Sequence, residues 1–214
     1  MTLIDDRTPA GEGTNDPAGH LRLSGPAQDL LFREAHTATA FGPEPVPDEQ
    51  LRTVYELVKY APTAFNAQPL RITLLRSPES RTRLVPHMAD ANQDRVATAP
   101  LVAVLSADRN FHDQLPRLVP QNPGLKDAFA DPTARERFAA SNAVLQAGYL
   151  IVGLRAAGLA VGPMTGFDAS GIEAEFFPDG DRTAVMVLVL GTPVDDGYRP
   201  RNPRLEFEEV AHTL

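Results

Sequence analysis

The sequence contains no cysteine among its 214 residues. This absence excludes disulfide bonds, thiolate metal ligands and a cysteine nucleophile, and it is typical of proteins in a reducing cytoplasm. No stretch approaches the roughly 20 consecutive apolar residues of a membrane-spanning helix. The first residues are acidic where a secretory signal peptide would be basic and then apolar. We therefore expect a soluble cytoplasmic protein with no membrane partner.

Positive charge is also scarce, because 20 Lys and Arg residues oppose 28 Asp and Glu residues, for a formal net charge of −8. An acidic surface disfavours a general attraction to nucleic acid or to an anionic membrane. Any anionic ligand must therefore meet a local basic cluster. The sequence also lacks a P-loop, a G-x-S-x-G motif and histidines at ligand spacing, so we expect neither a hydrolytic triad nor a metal site.

The length suits one ordinary domain. Residues 1–23 are rich in Gly, Pro, Asp and Thr and have no hydrophobic period, so they predict a flexible N-terminal arm. Residues 24–214 form the predicted folded domain.

Hydrophobic period and capping residues predict the secondary structure of this domain. Two helices are predicted to start at Ser24 and Pro47. Three more are predicted at 78–85, 92–99 and 133–159, and a short last helix is predicted to end at Phe176. Strands are predicted at 71–76, 101–107 and 184–191, and loops at 109–132 and 162–168. The second half of the long helix is apolar nearly all round, so we expect it to be buried on every side. Helices outnumber strands without strict alternation, which predicts an α+β fold.

Five motifs lie in and beside the predicted loops. They read APTAFNAQP, ANQDRVATAPLVAVL, AGYLIVGLRAAGLAVGPMTGFD, VLGTP and RNPRLEFEEV. Their order and spacing over residues 28–214 resemble the nitroreductase family of flavin enzymes, and most closely its malonic semialdehyde reductase branch.

The resemblance implies a two-layer α+β fold with an antiparallel or mixed sheet flanked by helices. It also implies a homodimer that forms through the long helix and binds non-covalent FMN in its interface, so that both chains supply parts of each site. The sequence has one basic cluster of phosphate size, which favours FMN over FAD.

The first motif, residues 61–69, places two prolines and several polar residues between a predicted helix and a predicted strand. The resemblance implies that Pro62, Thr63, Ala64 and Asn66 lie along the flavin ring. A proline-set backbone can present hydrogen-bonding groups with little loss of entropy on binding. The alternative is a plain helix-to-strand turn.

Asn92 and Arg95 correspond to the family's pair at the pyrimidine end of the flavin ring. An asparagine amide can both donate and accept there, and a nearby cation stabilises the anionic reduced flavin. Three residues apart on a helix, the two side chains face the same way. Taken without the resemblance, this pair would be a solvated helix face.

Pro163, Met164, Thr165 and Gly166 correspond to the loop that passes flavin N5, where a backbone amide donates a hydrogen bond. The wider family often has an acid at the position of Thr165, although a backbone donor tolerates that difference. Gly166 by itself could be a turn glycine.

Arg201 and Arg204 correspond to the C-terminal basic residues that hold the FMN phosphate. With Arg199 they form a local cluster in an acidic protein, and guanidinium forks match phosphate geometry. The alternative is a surface patch paired with Glu206 and Glu208.

The stretch FREAHTATAF departs from the family's pattern, because His36 stands where the closest branch has arginine. The resemblance implies that Thr37 and Thr39 still bind phosphate or ribityl oxygens. A histidine is charged for only part of the time near neutral pH. Arg33, one helical turn earlier, could compensate for the missing cation.

The implied activity is the transfer of reducing equivalents from NADH or NADPH through FMN to a small acceptor. Candidate acceptors are malonic semialdehyde, quinones and nitroaromatics, and no catalytic acid or base is assigned. Segment 109–132 is the predicted lid, and its Arg117 and Lys126 are the cations available to an acceptor carboxylate. The altered HTATAF motif favours an alternative, a non-catalytic flavin-binding dimer that acts as a flavin reservoir or sensor.

Overall fold

A computed structural model of the chain describes residues 19–214. Most of the predicted N-terminal arm, residues 1–18, lies outside the described residues. Residues 19–23 are exposed and belong to neither a helix nor a strand.

Within the described chain, four strands form one antiparallel sheet in the order β1-β2-β4-β3. The strands are β1 (Leu70–Leu75), β2 (Leu101–Asp108), β3 (Ala160–Met164) and β4 (Arg182–Gly191). The three strands predicted from the sequence are confirmed with small shifts at their ends. The prediction of a loop from residue 162 onward was wrong for its first three residues, which belong to β3. Pro163 concealed this strand. It is tolerated because β3 is an edge strand, whose other backbone pairing among residues 19–214 is an isolated bridge at Val161.

The helices of the described chain surround this sheet. They are α1 (Gly25–Gln28), α2 (Asp48–Val58), α3 (Pro78–Leu84), α4 (Asp90–Thr98), α5 (Leu115–Leu118), α6 (Pro132–Ala156), α7 (Ala169–Phe176) and α8 (Phe207–Val210), and a π-helical turn, Asp29–Arg33, continues α1. Ser24 caps α1 as predicted, since its hydroxyl accepts from the Ala27 amide. The predicted starts of the first two helices are confirmed.

Helices cover both faces of the sheet. On one face, Leu84 of α3, Val96 of α4 and Ile172 of α7 are fully buried against the strands. On the other face, α2 and α6 contribute Val54 and Leu154 to a second buried cluster. The sheet is therefore the middle of three layers, and the expectation of two layers was wrong. The α+β class itself is confirmed.

Helix α6 is the longest element of the described chain. The Asp131 carboxylate caps it by accepting from the Thr133 amide at 3.0 Å. Its apolar side packs on the sheet, while Val144, Leu145 and Tyr149 remain 45–47% exposed. The expectation that its second half is buried on every side was therefore wrong within one chain. No helix among residues 19–214 is both long enough and apolar enough to cross a membrane.

Segment 109–132 is more ordered than a loop. It contains α5 and two 3₁₀ helices, Phe111–Gln114 and Pro123–Phe129. Its fully buried residues Phe111 and Leu115 pack with Ala139 and Ala143 on the N-terminal half of α6. The apolar residues between its prolines therefore anchor the segment, which the sequence interpretation described only as a covering loop.

Candidate functional site

Residues from four distant parts of the sequence line one cavity of about 450 Å³ near the C-terminal end of α6. This volume lies within the range of about 300–1,000 Å³ that is typical of small-molecule sites. Six of the residues selected from the sequence line it, namely His36, Thr37, Thr39, Arg95, Arg201 and Arg204. We call it the arginine cavity, because Arg155 and Arg199 line it as well.

Backbone contacts hold two remote segments together at the arginine cavity. Residue Thr37 forms a parallel bridge with Val161 of β3, and Ala38 forms an antiparallel bridge with Tyr198. Gly162 allows this approach, since a Cβ there would lie 2.8 Å from the Ala38 carbonyl oxygen. The Thr39 hydroxyl and amide both donate to the Gly197 carbonyl, at 3.1 and 2.8 Å. The sheet edge thus positions the cavity wall.

Arg201 also anchors the C-terminal tail to the segment that follows α1. Its Nη2 donates to the carbonyl oxygens of Arg33 and Ala35, at 2.5 and 2.9 Å. Among residues 19–214, Arg204 donates only to the nearby carbonyls of Asn202 and Pro203. Arg201 therefore builds the cavity wall, while the guanidinium of Arg204 contacts only local backbone.

The electrostatics of the arginine cavity oppose those of the whole chain. Five arginines and no acidic residue line it, although the net charge is −8. Among residues 19–214, no carboxylate forms a salt bridge with any of these five arginines. The predicted alternative, in which Glu206 and Glu208 neutralise the tail arginines, is therefore wrong. Converging guanidinium groups without acidic partners suit a phosphate.

Arg155 is the cavity residue that the sequence interpretation missed. It lies in the last turn of α6, and its Nη2 contacts the His36 carbonyl oxygen at 3.4 Å. Burial lowers its pKa, as does the charge of Arg201. Burial raises the pKa of neighbouring Tyr198, against the influence of Arg155. A partly buried cation without a carboxylate partner is costly, and a bound anion would stabilise its charged form. Its isolation within the apolar run LIVGLRAAGL was the available sequence signal.

Arg33, the compensating cation suggested from the sequence, lies apart from the arginine cavity. Its side chain pairs with Asp29 at 2.9 Å and does not line the cavity. His36 does line it, and its Nδ1 contacts the Arg199 carbonyl oxygen at 3.2 Å. The cation that stands beside His36 is Arg155, which is 119 residues away in sequence.

Asn92 contacts Gly166, which is 74 residues away in sequence. The Asn92 amide donates to the Gly166 carbonyl at 3.3 Å, and the Ala89 backbone amide donates to the same oxygen at 3.0 Å. Arg95 lies nearly one turn further along α4 and faces the arginine cavity. The Gly166 N–H donates to no group among residues 19–214, so an exposed backbone donor lies near this pair.

Residues 163–166 are divided between a strand and a loop. Pro163 and Met164 end β3, and the Met164 side chain is 5% exposed within the core. Thr165 and Gly166 are exposed just beyond the strand. The prediction of one continuous loop was therefore wrong, because the first two residues pair with Leu188 and Val187 of β4.

The loop between α2 and β1 lies elsewhere. The Ala64 amide donates to the Asn142 side chain at 2.8 Å, and the Asn66 amide group donates to the Leu118 carbonyl at 3.1 Å. Thr63 accepts from the Gln68 amide at 3.2 Å. Residues 62–66 therefore form a constrained loop that packs on α6 and on the lid, which is more than a plain turn.

Two groups of predicted residues are thus separated along α6. Asn142 anchors residues 62–66, whereas Arg155 faces the arginine cavity, and 13 residues separate these two positions on the helix. At 1.5 Å of rise per residue, this corresponds to about 20 Å. One chain therefore does not bring residues 62–66 to the arginine cavity.

A larger cavity of about 610 Å³ lies between α2, α6 and the sheet. Its lining is mainly aliphatic, including Leu51, Ile72 and Leu150, and it contains none of the residues predicted from the sequence. Among residues 19–214, no cluster of three or more His, Asp or Glu residues could hold a metal ion. The arginine cavity, with its convergent polar groups, is therefore the candidate site.

Comparisons with known proteins identify the family of the chain. The Nitroreductase family model matches residues 33–192. A relative from Streptomyces griseus, named provisionally as an NADH dehydrogenase/NAD(P)H nitroreductase, is 56% identical over 91% of this chain and 99% of its own. A Streptomyces coelicolor relative with the same provisional name is 57% identical over the same shares.

A solved structure shares the fold. It is a protein from Exiguobacterium sibiricum, named provisionally as a nitroreductase, in complex with FMN. Its TM-score to this chain is 0.77, and the two sequences are 24% identical. The match covers 87% of this chain and 96% of that one. The family model, the curated relatives and the fold lead to one conclusion: this chain belongs to the nitroreductase family.

Proposed function

We propose that this protein is an FMN-dependent NAD(P)H oxidoreductase that reduces a small acceptor. The observation that carries the proposal is the arginine cavity, where five arginines converge without an acidic residue in a chain of net charge −8. The names of the curated relatives and the FMN complex of the structural neighbour support the same activity.

The residues present fit FMN. Arg155, Arg201 and Arg204 offer guanidinium donors to a phosphate. The Thr37 hydroxyl can donate to phosphate or ribityl oxygens, and the Thr39 hydroxyl, which donates to Gly197, can accept from a ribityl hydroxyl. Bound FMN would supply the redox chemistry, accepting a hydride equivalent from NADH or NADPH and releasing two electrons to an acceptor. The chain itself supplies binding, orientation and charge.

The remaining residues have distinct roles on the side of the arginine cavity where Arg95 leads toward Asn92 and Gly166. Asn92 offers donors and an acceptor to the pyrimidine edge of the ring, and Arg95 places a positive charge beside it. The exposed Gly166 amide is the candidate backbone donor to the ring, with Thr165 beside it. Pro163 and Met164 act indirectly, because β3 directs the backbone toward this position.

We also propose that the complete site needs a second copy of the chain. Pro62, Thr63, Ala64 and Asn66 lie about 20 Å along α6 from Arg155, so they would reach the flavin of a partner rather than their own. The exposed apolar residues of α6, Val144, Leu145 and Tyr149, form the surface on which two copies would pack. A cytoplasmic homodimer is thus part of the proposal.

Absorbance spectroscopy tests the proposal. The purified protein, with FMN added, should elute with flavin absorbance at the mass of a dimer, and anaerobic NADH or NADPH should bleach that absorbance within turnover times. Bound flavin that is not bleached would favour a flavin reservoir or sensor instead. A protein that binds no FMN contradicts both functions.

The acceptor proposed from sequence resemblance is malonic semialdehyde, with quinones and nitroaromatics as less specific acceptors. Lys126 pairs with Asp113 at 2.5 Å, whereas Arg117 contacts only the Gln114 side chain at 3.3 Å. Arg117 is therefore the lid cation that is available to an acceptor carboxylate. We expect Arg117→Ala to lower kcat/KM for the semialdehyde but not for a neutral quinone, with Lys126→Ala as the matched control. Equal kcat/KM ratios in both variants and the wild type would exclude carboxylate docking at Arg117.

A further inference from the structure

Phe65 lies in a strained backbone conformation at the centre of loop 61–69. Its φ and ψ are 55° and 25°, in the left-handed region, and Asn66 and Gln68 also have positive φ, at 52° and 45°. A bulky residue is rarely found in this region, because the conformation is strained for a side chain with a Cβ atom. Such strain persists only where surrounding contacts enforce it, and it is concentrated at functional sites.

Hydrogen bonds on both sides enforce the conformation of Phe65. The buried Asn142 side chain accepts from the Ala64 amide at 2.8 Å and donates to the Phe138 carbonyl at 3.0 Å. The Asn66 side chain is held by the Leu118 carbonyl and by Gln68. The loop is therefore fixed from α6 and from segment 109–132, and the backbone of Phe65 is fixed with it.

The Phe65 ring is the exposed member of a four-phenylalanine cluster. It stacks on Phe138 at 6.2 Å between ring centroids and 24° between planes, and it meets Phe129 edge-on at 6.2 Å. Phe138 stacks in turn on the fully buried Phe111, at 5.2 Å and 21°. Phe65 remains 57% exposed. The stack thus begins in the core and ends in an open aromatic surface.

We propose that the exposed face of the Phe65 ring stacks against aromatic acceptors, and that Phe65 thereby sets the preference for aromatic over non-aromatic acceptors. The proposal rests on the proposed function, because it takes loop 61–69 as a wall of the flavin site. An exposed, immobilised ring offers contact area at little entropic cost, and offset stacking of aromatic rings is favourable.

Steady-state kinetics with two acceptors test the proposal. One acceptor is 1,4-naphthoquinone, which can stack, and the other is ferricyanide, which cannot. Phe65→Leu should raise KM for naphthoquinone about 2- to 12-fold, the range of about 0.5–1.5 kcal/mol for an aromatic pair converted at 1.4 kcal/mol per tenfold change. KM for ferricyanide should stay unchanged, and Phe65→Tyr should restore the wild-type value for naphthoquinone. The same substitution at another exposed phenylalanine, Phe207→Leu, is the matched control.

A fluorescence measurement gives a readout independent of turnover. The chain contains no tryptophan, so Phe65→Trp and the control Phe207→Trp each create a single reporter. We expect saturating quenching of the position-65 reporter by naphthoquinone at concentrations near its KM, and only linear collisional quenching of the position-207 reporter.

Three results would overturn the proposal. The first is a shift of equal size for both acceptors in Phe65→Leu, or none. The second is dissociation of a wild-type dimer by Phe65→Leu, which would place the ring in a subunit interface. The third is a wild-type protein whose FMN is not reduced by NADH or NADPH, which contradicts the proposed function as well. Normal FMN reduction with unchanged acceptor preference contradicts only the role of Phe65.

Discussion

Replacing Arg155 by alanine should weaken FMN binding, because the phosphate of FMN would lose a guanidinium donor. The side chain lines the arginine cavity and is about half-buried, and no carboxylate among residues 19–214 pairs with it. A hydrogen bond to a charged group contributes about 1.5–3 kcal/mol, and partial exposure favours the lower half of that range. We therefore expect a loss of about 1.5–2 kcal/mol, or about 10- to 30-fold in Kd.

Fluorescence titration of the apoprotein with FMN and with riboflavin measures this effect. Riboflavin lacks the phosphate, so Arg155→Ala should reduce FMN affinity and leave riboflavin affinity nearly unchanged. Arg155→Lys should fall between wild type and Arg155→Ala, because it keeps the charge and loses the guanidinium fork. Arg33→Ala is the matched control, since Arg33 pairs with Asp29 and does not line the cavity.

Two outcomes would refute the role of Arg155. Equal losses for FMN and riboflavin would show that Arg155 supports the fold of the site and does not bind the phosphate. Unchanged FMN affinity, with the fold intact by circular dichroism, would place the phosphate elsewhere.

Three further predictions follow from the same structure. Arg204→Ala should weaken FMN binding by about 1.5 kcal/mol, the lower end of the range for a hydrogen bond to a charged group, because Arg204 is exposed. Arg95→Ala should lower the flavin reduction potential more than the affinity. Spectroelectrochemistry and FMN titration measure both variants, and identical effects would show that the ends of the flavin are misassigned. Tyr149→Arg should dissociate the proposed dimer, as measured by light scattering. Tyr60→Arg is the control and should not, since Tyr60 is 80% exposed. An unchanged mass for both variants would show that the interface does not lie on α6. Burial lowers the pKa of His112. Its contribution to the free energy of unfolding is therefore complete above the unfolded pKa of about 6.5 and declines as the pH falls below that value. In denaturant unfolding, His112→Gln should lose less stability in acid than the wild type, and identical pH profiles would contradict this reasoning.

Local sequence determined most of the elements. The apolar period specifies α2, and the Asp131 cap helps to specify α6. The continuous apolar runs specify β2 and β4. These features act within a few residues. Strand β3 escaped prediction because Pro163 reads as a loop residue, and only its pairing with β4 at the sheet edge makes it a strand. The exposed face of α6 also depended on tertiary packing, since one side of an apolar helix lies on the sheet and the other does not.

The candidate site shows the same division. Arg201 and Arg204 were identified because their motif resembles that of a known family, and so were Asn92 and Arg95; each pair lies within a few residues of sequence. Arg155 was not identified, since a lone arginine acquires its role only when folding brings it 3.4 Å from the carbonyl oxygen of His36, across 119 residues. Phe65 likewise reads as a turn residue until Asn142 and Leu118 fix the loop and leave its ring exposed. The sequence alone thus determined which chemical groups are available, and the tertiary structure decided which of them converge, because distant residues meet only through packing of the elements between them.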